Sequence, residues 1–96
     1  MAINRVQAVK SVTTAGTAEP LSDAPVGFTE VLIQAEFGNT GNVFIGNSDV
    51  DSTNGIVLIQ GATIEIQGGD LNTIYIDSAN NGDGVRLFYK TSNLQR

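Results

Sequence analysis

Apolar and polar residues alternate along most of this chain with the period of a β-strand. The clearest case is residues 62–67, Ala-Thr-Ile-Glu-Ile-Gln, where one face would pack inward and the other would meet water. Residues 85–90 alternate in the same phase. The rows expected to point inward are Val31, Ile33, Ala35 and Phe37; Val43 and Ile45; Ile56 and Leu58; Ile74 and Ile76; and Val85, Leu87 and Tyr89. The pattern therefore predicts a series of short strands and no long helix.

A further strand is predicted near the N-terminus, where Val6, Ala8 and Val12 share a phase. Val9 breaks that phase and indicates a β-bulge. Turn signals separate the strands, among them Asn54-Gly55 and Asp83-Gly84. Because Asn-Gly and Asp-Gly are favoured where φ is positive, we expect a positive φ at Gly55 and Gly84.

About seven short strands at this spacing predict an all-β fold, either an antiparallel β-sandwich or a small jelly-roll-like barrel. Residues 15–27 contain both prolines and no periodicity. We interpret them as a long crossover between sheets, held down by Leu21 and Val26. A chain of 96 residues has room for one modest core, so residues 1–96 are expected to form a single domain.

Composition removes several classes of chemistry. The sequence contains no cysteine and no histidine, which excludes disulfides, thiolate or imidazole metal sites and Ser-His-Asp catalysis. The net charge is −5 and the five basic residues are scattered, a poor match to nucleic acid. No apolar run approaches a membrane span and no signal peptide is evident, so we expect a protein made in a reducing cytoplasm.

Carboxylate side chains remain as candidates for catalysis or for metal binding. Asp49 and Asp51 lie in a polar turn, which offers neither the apolar environment nor the cleft that a glycosidase pair needs. Residues 49–55 alternate oxygen side chains as a calcium loop does, but Asn54 and Gln60 stand where an EF-hand needs Gly and Glu. An Asx-rich turn that bonds its own backbone explains this loop better, and residues 77–84 likewise. We therefore predict no catalytic residue, no metal and no cofactor.

A second set of apolar residues falls in the outward phase of the predicted strands. Some of them would be covered by the crossover, since single exposed apolar residues are ordinary. A set this large in a small chain favours a subunit interface. Tyr75, Phe88 and Tyr89 alternatively suggest an aromatic platform for a sugar or a base. The candidate interface residues are Leu32, Phe44, Val57, Ile59, Tyr75 and Phe88.

The order of strands and Gly/Asn turns resembles small structural proteins of tailed bacteriophages. The resemblance is carried by residues 31–35, 38–46, 54–58, 71–77 and 81–85, and it extends over about residues 31–89. That family comprises small β-sandwich proteins of the virion, including capsid decoration or cement proteins. Residues 59–63 are more apolar than a strand connection of this kind is expected to be, which adds apolar surface at one end.

The resemblance implies a capsid decoration protein that stabilises the head lattice as a small cyclic homo-oligomer, with a trimer favoured. Its partners would be its own copies and the major capsid protein or another virion protein, and its location would be the virion. A component of the tail, neck or head fibre is an alternative place in the particle. A glycan-binding β-sandwich module is an alternative of a different class.

Overall fold

The computed structural model describes residues 5–91, which form eight β-strands and one turn of 3-10 helix. The strands are β1 (Arg5–Ser11), β2 (Glu19–Pro20), β3 (Gly27–Ala35), β4 (Val43–Gly46), β5 (Ile56–Leu58), β6 (Thr63–Asp70), β7 (Tyr75–Ser78) and β8 (Gly84–Thr91), and the 3-10 turn is Leu71–Thr73. In this part of the chain no helix is long and apolar enough to cross a membrane.

The strands form two antiparallel sheets of four. Sheet A has the order β1-β8-β3-β6 and sheet B the order β2-β7-β4-β5. The first strand pairs with the last, and each following strand pairs with the one before the last in turn. The pairs are β1 with β8, β2 with β7, β3 with β6 and β4 with β5. The chain is thus one long hairpin, with its tip between β4 and β5, that alternates between two sheets. This is the jelly-roll arrangement, and it confirms the all-β antiparallel prediction.

The predicted inward rows supply the core between the sheets. Val31, Ile33 and Ala35 of β3 are fully buried, as is Val85 of β8. Ile64 and Ile66 of β6 lie half-buried at the margin. The buried cluster comprises Val12, Leu21, Phe28, Val31, Ile33, Ala35, Val43, Ile45, Leu58, Leu71, Ile76, Val85, Leu87 and Tyr89. Period-two patterning was therefore a reliable guide to the core of the central strands.

Two residues predicted to point inward lie outside. Phe37 is 70% exposed because β3 ends at Ala35, so the alternation no longer applies beyond that residue. Ile56 is 55% exposed, although it shares the phase of buried Leu58, because it begins a strand at the edge of sheet B. Both predictions fail where a strand ends.

The bulge predicted at Val9 is wrong. The register of β1 against β8 is unbroken from Arg5–Lys90 to Ser11–Gly84. Val9 simply points outward and is 64% exposed. The irregular register lies in β3, where pairing with β8 shifts between Phe28 and Glu30.

The crossover prediction for residues 15–27 holds in outline. The chain leaves sheet A after β1, contributes the two-residue strand β2 to sheet B and returns to sheet A at β3. Leu21 is buried and Val26 packs against the core, as expected. The short strand within the crossover has no signal in the sequence pattern.

The two predicted positive φ angles are also wrong. Gly55 and Gly84 have no left-handed backbone; in residues 5–91 the positive angles fall at Gly16, Gly61, Gly68, Gly69 and Gly82. What Gly55 and Gly84 supply is the absence of a side chain. A Cβ on Gly55 would lie 2.6 Å from Cγ2 of Val50, and one on Gly84 would lie 2.8 Å from the Cα of Ser11.

Candidate functional site

The acidic loop at residues 49–55 bonds to itself, as predicted for an Asx-rich turn. The Asp51 carboxylate accepts hydrogen bonds from the amide of Thr53 at 2.8 Å and from its hydroxyl at 2.6 Å. Asn54 accepts from the amide of Asp51 and donates to the carbonyl of Asp49. The hydrogen bonds from Thr53 lower the pKa of Asp51 below its ordinary value. Asp51 and Asn54 are thus occupied in fixing the turn.

The prediction that residues 77–84 bond their own backbone is correct only in part. The Asp77 carboxylate accepts from the amide of Ser78, but this loop mainly fastens neighbouring loops. Buried Asp83 accepts from the amides of Thr40 at 3.0 Å and Gly41 at 2.9 Å. Buried Asn39 donates to the Gly84 carbonyl and accepts from the Gly84 amide, both at 2.9 Å. These bonds hold the β3–β4 loop against the start of β8.

Asp77 fastens the β1–β2 loop in a similar way. Its buried carboxylate accepts from the amide of Gly16 at 2.8 Å, and Asn81 accepts from the amide of Ala15 at 2.7 Å. Across residues 5–91, no three or more acidic side chains gather closely enough to hold a metal ion. Both acidic loops thus have a visible structural role.

The six candidate interface residues do not form one surface. Leu32 and Phe88 face each other on the outer face of sheet A, 42% and 43% exposed. Val57 and Ile59 lie at the edge of sheet B, 49% and 63% exposed. Tyr75 of β7 is half-buried and pairs with Pro20 on the neighbouring strand β2 and with Gly46 on the neighbouring strand β4. The remaining residue, Phe44, is only 6% exposed.

Phe44 therefore leaves the candidate set. Its side chain lies outside the main core, on the outer face of sheet B, where the β1–β2 and β4–β5 loops cover it. A Cβ on Gly55 would contact both Phe44 and Val50, which shows that these residues form a small cluster beneath the β4–β5 loop. Burial beneath the crossover was the alternative interpretation of such residues. It is correct only in part for Phe44, which lies beneath the β4–β5 loop as well as near Ala15 and Gly16 at the start of the crossover.

Within residues 5–91, four of the seven large apolar side chains that are exposed lie in or near β5. We define the β5 patch as Phe37, Ile56, Val57 and Ile59, which are 49–70% exposed. The Phe37 ring lies against Gly61, in the turn where the amide of Ala62 donates to the carbonyl of Ile59. This contact places Phe37 of the β3–β4 loop beside the turn that follows Ile59.

The outer face of sheet A contains a groove of about 580 Å³. Two rows of paired residues cross its strands: Val9–Arg86–Gln34 and Gln7–Phe88–Leu32. Glu36 closes one end, just beyond β3. We define the sheet A groove as Gln7, Val9, Leu32, Gln34, Glu36, Arg86 and Phe88.

Charges are paired on one side of this groove and unpaired within it. Glu30 contacts Lys90 at 3.4 Å and Arg5 at 3.9 Å. The Arg5 guanidinium also lies 5.7 Å from the centre of the Phe88 ring, within cation–π range. By contrast, the side chains of Glu36 and Arg86 make no hydrogen bond or ion pair with any other residue in the range 5–91.

The predicted aromatic platform does not form. Tyr89 points into the core and is 8% exposed, whereas Phe88 lies on sheet A and Tyr75 on sheet B.

Sequence reasoning also missed the polar lining of the groove. Its signal was present as the polar phase of β1, β3 and β8, but only the register shows that Gln7, Gln34 and Arg86 are neighbours.

Comparison with known proteins adds no relative. The chain matches no protein-family model, and no curated protein has significant sequence similarity to it.

Proposed function

We propose that this protein is a structural component of a tailed-phage virion, a capsid decoration or cement protein that acts as a small cyclic oligomer. The observation that carries the proposal is the β5 patch, which gives the fold an apolar edge suited to contact with further copies. An assembly protein needs a rigid body with repeated contacts and requires no active site. The fold alone does not decide function, so the argument depends on this surface.

The β5 edge is short, at three residues, but it lacks the charge, proline or irregular backbone found at the other sheet edges in residues 5–91. Edge strands are usually blunted by shortness, proline, charge or irregular backbone. The edge strand β2 has two residues and includes Pro20, β1 carries Arg5 and Lys10, and β6 carries Glu65 and two glycines of positive φ. Residues 56–59, Ile-Val-Leu-Ile, contain no charge. Contact between copies through these four residues therefore places no charged side chain of β5 against another.

The position of the β5 patch at one edge of the sandwich favours a ring of copies. Val57 and Ile59 lie at one edge of an elongated sandwich, so contact with a different surface of the next copy would repeat by rotation. Where the rotation is a whole fraction of a turn, such a contact closes into a ring with identical interfaces, which is the arrangement that we propose. Burying large apolar side chains stabilises by roughly 1.5–3 kcal/mol each when burial is complete, which is substantial for a domain of this size.

Two properties support the virion assignment within this class. The jelly roll is an arrangement that viral capsid proteins use, and residues 31–89 resemble small virion proteins in their order of strands and turns. A tail, neck or head-fibre position shares all of these features. Copy number distinguishes the positions, because a decoration protein approaches the abundance of the major capsid protein.

The test is quantitative mass spectrometry of fractionated particles, combined with sedimentation velocity of the isolated chain at micromolar concentration. We expect a discrete oligomer in solution and high copy number in heads that lack tails. A few copies, confined to tails or necks, would move the protein to the alternative position. A monodisperse monomer that is absent from particles would overturn the proposal.

A further inference from the structure

We propose that the sheet A groove is a binding site for a neutral oligosaccharide. The groove lies on the outer face of sheet A, whereas the β5 patch lies at the edge of sheet B. The inference is therefore independent of the assembly function, and either can fail without the other.

Only side chains are available to a ligand in this groove. Its central strands, β8 and β3, are paired on both sides, so their backbone groups are engaged in the sheet. A peptide that adds as a β-strand needs an open edge, and the centre of the groove offers none. The ligand must be recognised by what projects from the sheet.

The projecting groups combine planar polar ends with apolar surface. Gln7 provides two donors and a carbonyl acceptor, and Arg86 provides a planar fork of donors. The Gln34 amide nitrogen donates to the carbonyl of Gly61 at 3.3 Å, which leaves its carbonyl and one further donor for a ligand. Phe88, Leu32 and Val9 lie among them and are 42–64% exposed. A pyranose ring has the complementary structure, with hydroxyl groups around its edge and C–H bonds on its faces. Its hydroxyls would pair with the amides and guanidinium while a face covers Phe88.

The charge of the groove favours a neutral ligand. Arg86 and Glu36 are its two charged side chains, and their charges are opposite. In the neighbouring row Glu30 contacts both Lys90 and Arg5, so only one net positive charge remains there. With a net charge of −5 on the whole chain, a phosphate or nucleic acid would meet little attraction.

The dimensions suit a short oligosaccharide. A volume of about 580 Å³ lies within the roughly 300–1,000 Å³ of typical ligand sites. The two rows are separated by two residues along each strand, about 7 Å. A ligand of more than one ring would thus contact Arg86 and Gln34 in one row and Gln7 and Phe88 in the next.

The experiment is a titration of the ¹⁵N-labelled full chain with cellotriose, maltotriose and tri-N-acetylchitotriose, followed by NMR. We expect saturable shifts with at least one of them, confined to the groove, and a Kd on the order of 1 mM. Arg86→Ala should weaken binding at least tenfold. Gln67→Ala, on the outer face of β6 away from the groove, should leave it unchanged.

Circular dichroism and the NMR spectrum identify variants that fail to fold, and Gln7→Ala is the substitute if Arg86→Ala does so. The absence of shifts up to roughly ten times the expected Kd would overturn the proposal. Tighter binding of a sialylated or sulfated trisaccharide would overturn the neutral class. Groove shifts that depend on protein concentration without sugar would identify the groove as a contact between copies, and would equally overturn it.

Discussion

Single residues hold the turns of this protein through contacts that cross the fold. Asn39 exchanges two hydrogen bonds with the backbone of Gly84, as a neighbouring strand would. Gly84 in turn faces Ser11 of β1, with no space for a side chain. Asp83 binds the amides of Thr40 and Gly41 from the same turn. The start of β8 is therefore a junction of three chain segments.

We predict that Gly84→Ala destabilises the protein by roughly 1–3 kcal/mol, the usual range for overpacking. The added Cβ would meet the backbone of Lys10 and Ser11, which cannot move without disrupting the β1–β8 pairing. Urea unfolding followed by circular dichroism measures the change in the free energy of unfolding.

Gly38→Ala is the matched control for this substitution. No atom lies within 4 Å of the position of its Cβ, and its φ is not positive. The control is expected to be neutral or to stabilise by up to about 1 kcal/mol, since it reduces the freedom of the unfolded chain. Equal losses from Gly84→Ala and Gly38→Ala would contradict the close approach of β1.

At the scale of elements, β5 differs from every other strand in residues 5–91. It is the shortest after β2, it pairs with β4 on one side, and no described strand covers its other side. The side chains of Ile56 and Val57 point to opposite faces, yet both are about half exposed. An edge with apolar residues on both faces is the position where added charge should have the clearest effect.

We predict that Val57→Lys abolishes self-association and leaves the fold intact. Lysine on an edge strand opposes further strand pairing, and Val57 is exposed enough to be replaced without opening the core. Sedimentation velocity should show the oligomer of the wild-type chain and a monomer for the variant, with similar circular dichroism spectra.

Gln67→Lys serves as the control, because it adds the same charge to an exposed position of another edge strand, β6. It should associate as the wild type does. Dissociation by both substitutions would mean that net charge rather than the β5 patch governs assembly. Phe44→Asp is unsuitable as a probe, because Phe44 is buried and its replacement would disturb folding.

At the scale of the whole molecule, one ion pair among residues 5–91 connects the two sheets. Lys10 of β1 in sheet A contacts Glu19 of β2 in sheet B at 2.9 Å. Glu19 also accepts hydrogen bonds from the amides of Thr13 and Thr14. Burial alone would raise the pKa of Glu19, but the bonds from Lys10, Thr14 and Thr13 outweigh it and hold the pKa below its ordinary value of 4.5.

A lowered carboxyl pKa makes this connection sensitive to acid. The stabilisation is fully present above the unfolded-state pKa of about 4.5 and is lost as the pH falls through the lower folded-state value. We predict that Glu19→Gln has a lower melting temperature than the wild type above pH 4.5, and that the difference shrinks as the pH decreases further. Thermal unfolding across this range measures it.

Other carboxylates titrate in both proteins, so the informative quantity is the difference between them. Glu65→Gln is the control, because Glu65 is exposed on β6 and makes no ion pair within residues 5–91. Its difference from the wild type should be small. A constant difference for Glu19→Gln would show that the carboxylate acts through its shape rather than its charge.

The sequence by itself determined the fold class and most of the core. Period-two alternation identified the buried rows of β3 and β8, where two neighbouring strands and an opposing sheet make the inward phase unambiguous. It also identified the loop at residues 49–55 as a turn, since Asp51 and Asn54 bond residues only a few positions away. Local patterns suffice where the physical cause is local.

Tertiary structure decided everything that depends on which strands are neighbours. Phe44 and Val57 occupy the same outward phase and pair with each other, yet loops cover Phe44 and leave Val57 exposed. Gln7, Phe88 and Leu32 are far apart in sequence and adjacent in the sheet A groove. Alternation gives the face of each strand but carries no information about register or loop coverage, because both arise from contacts between distant parts of the chain.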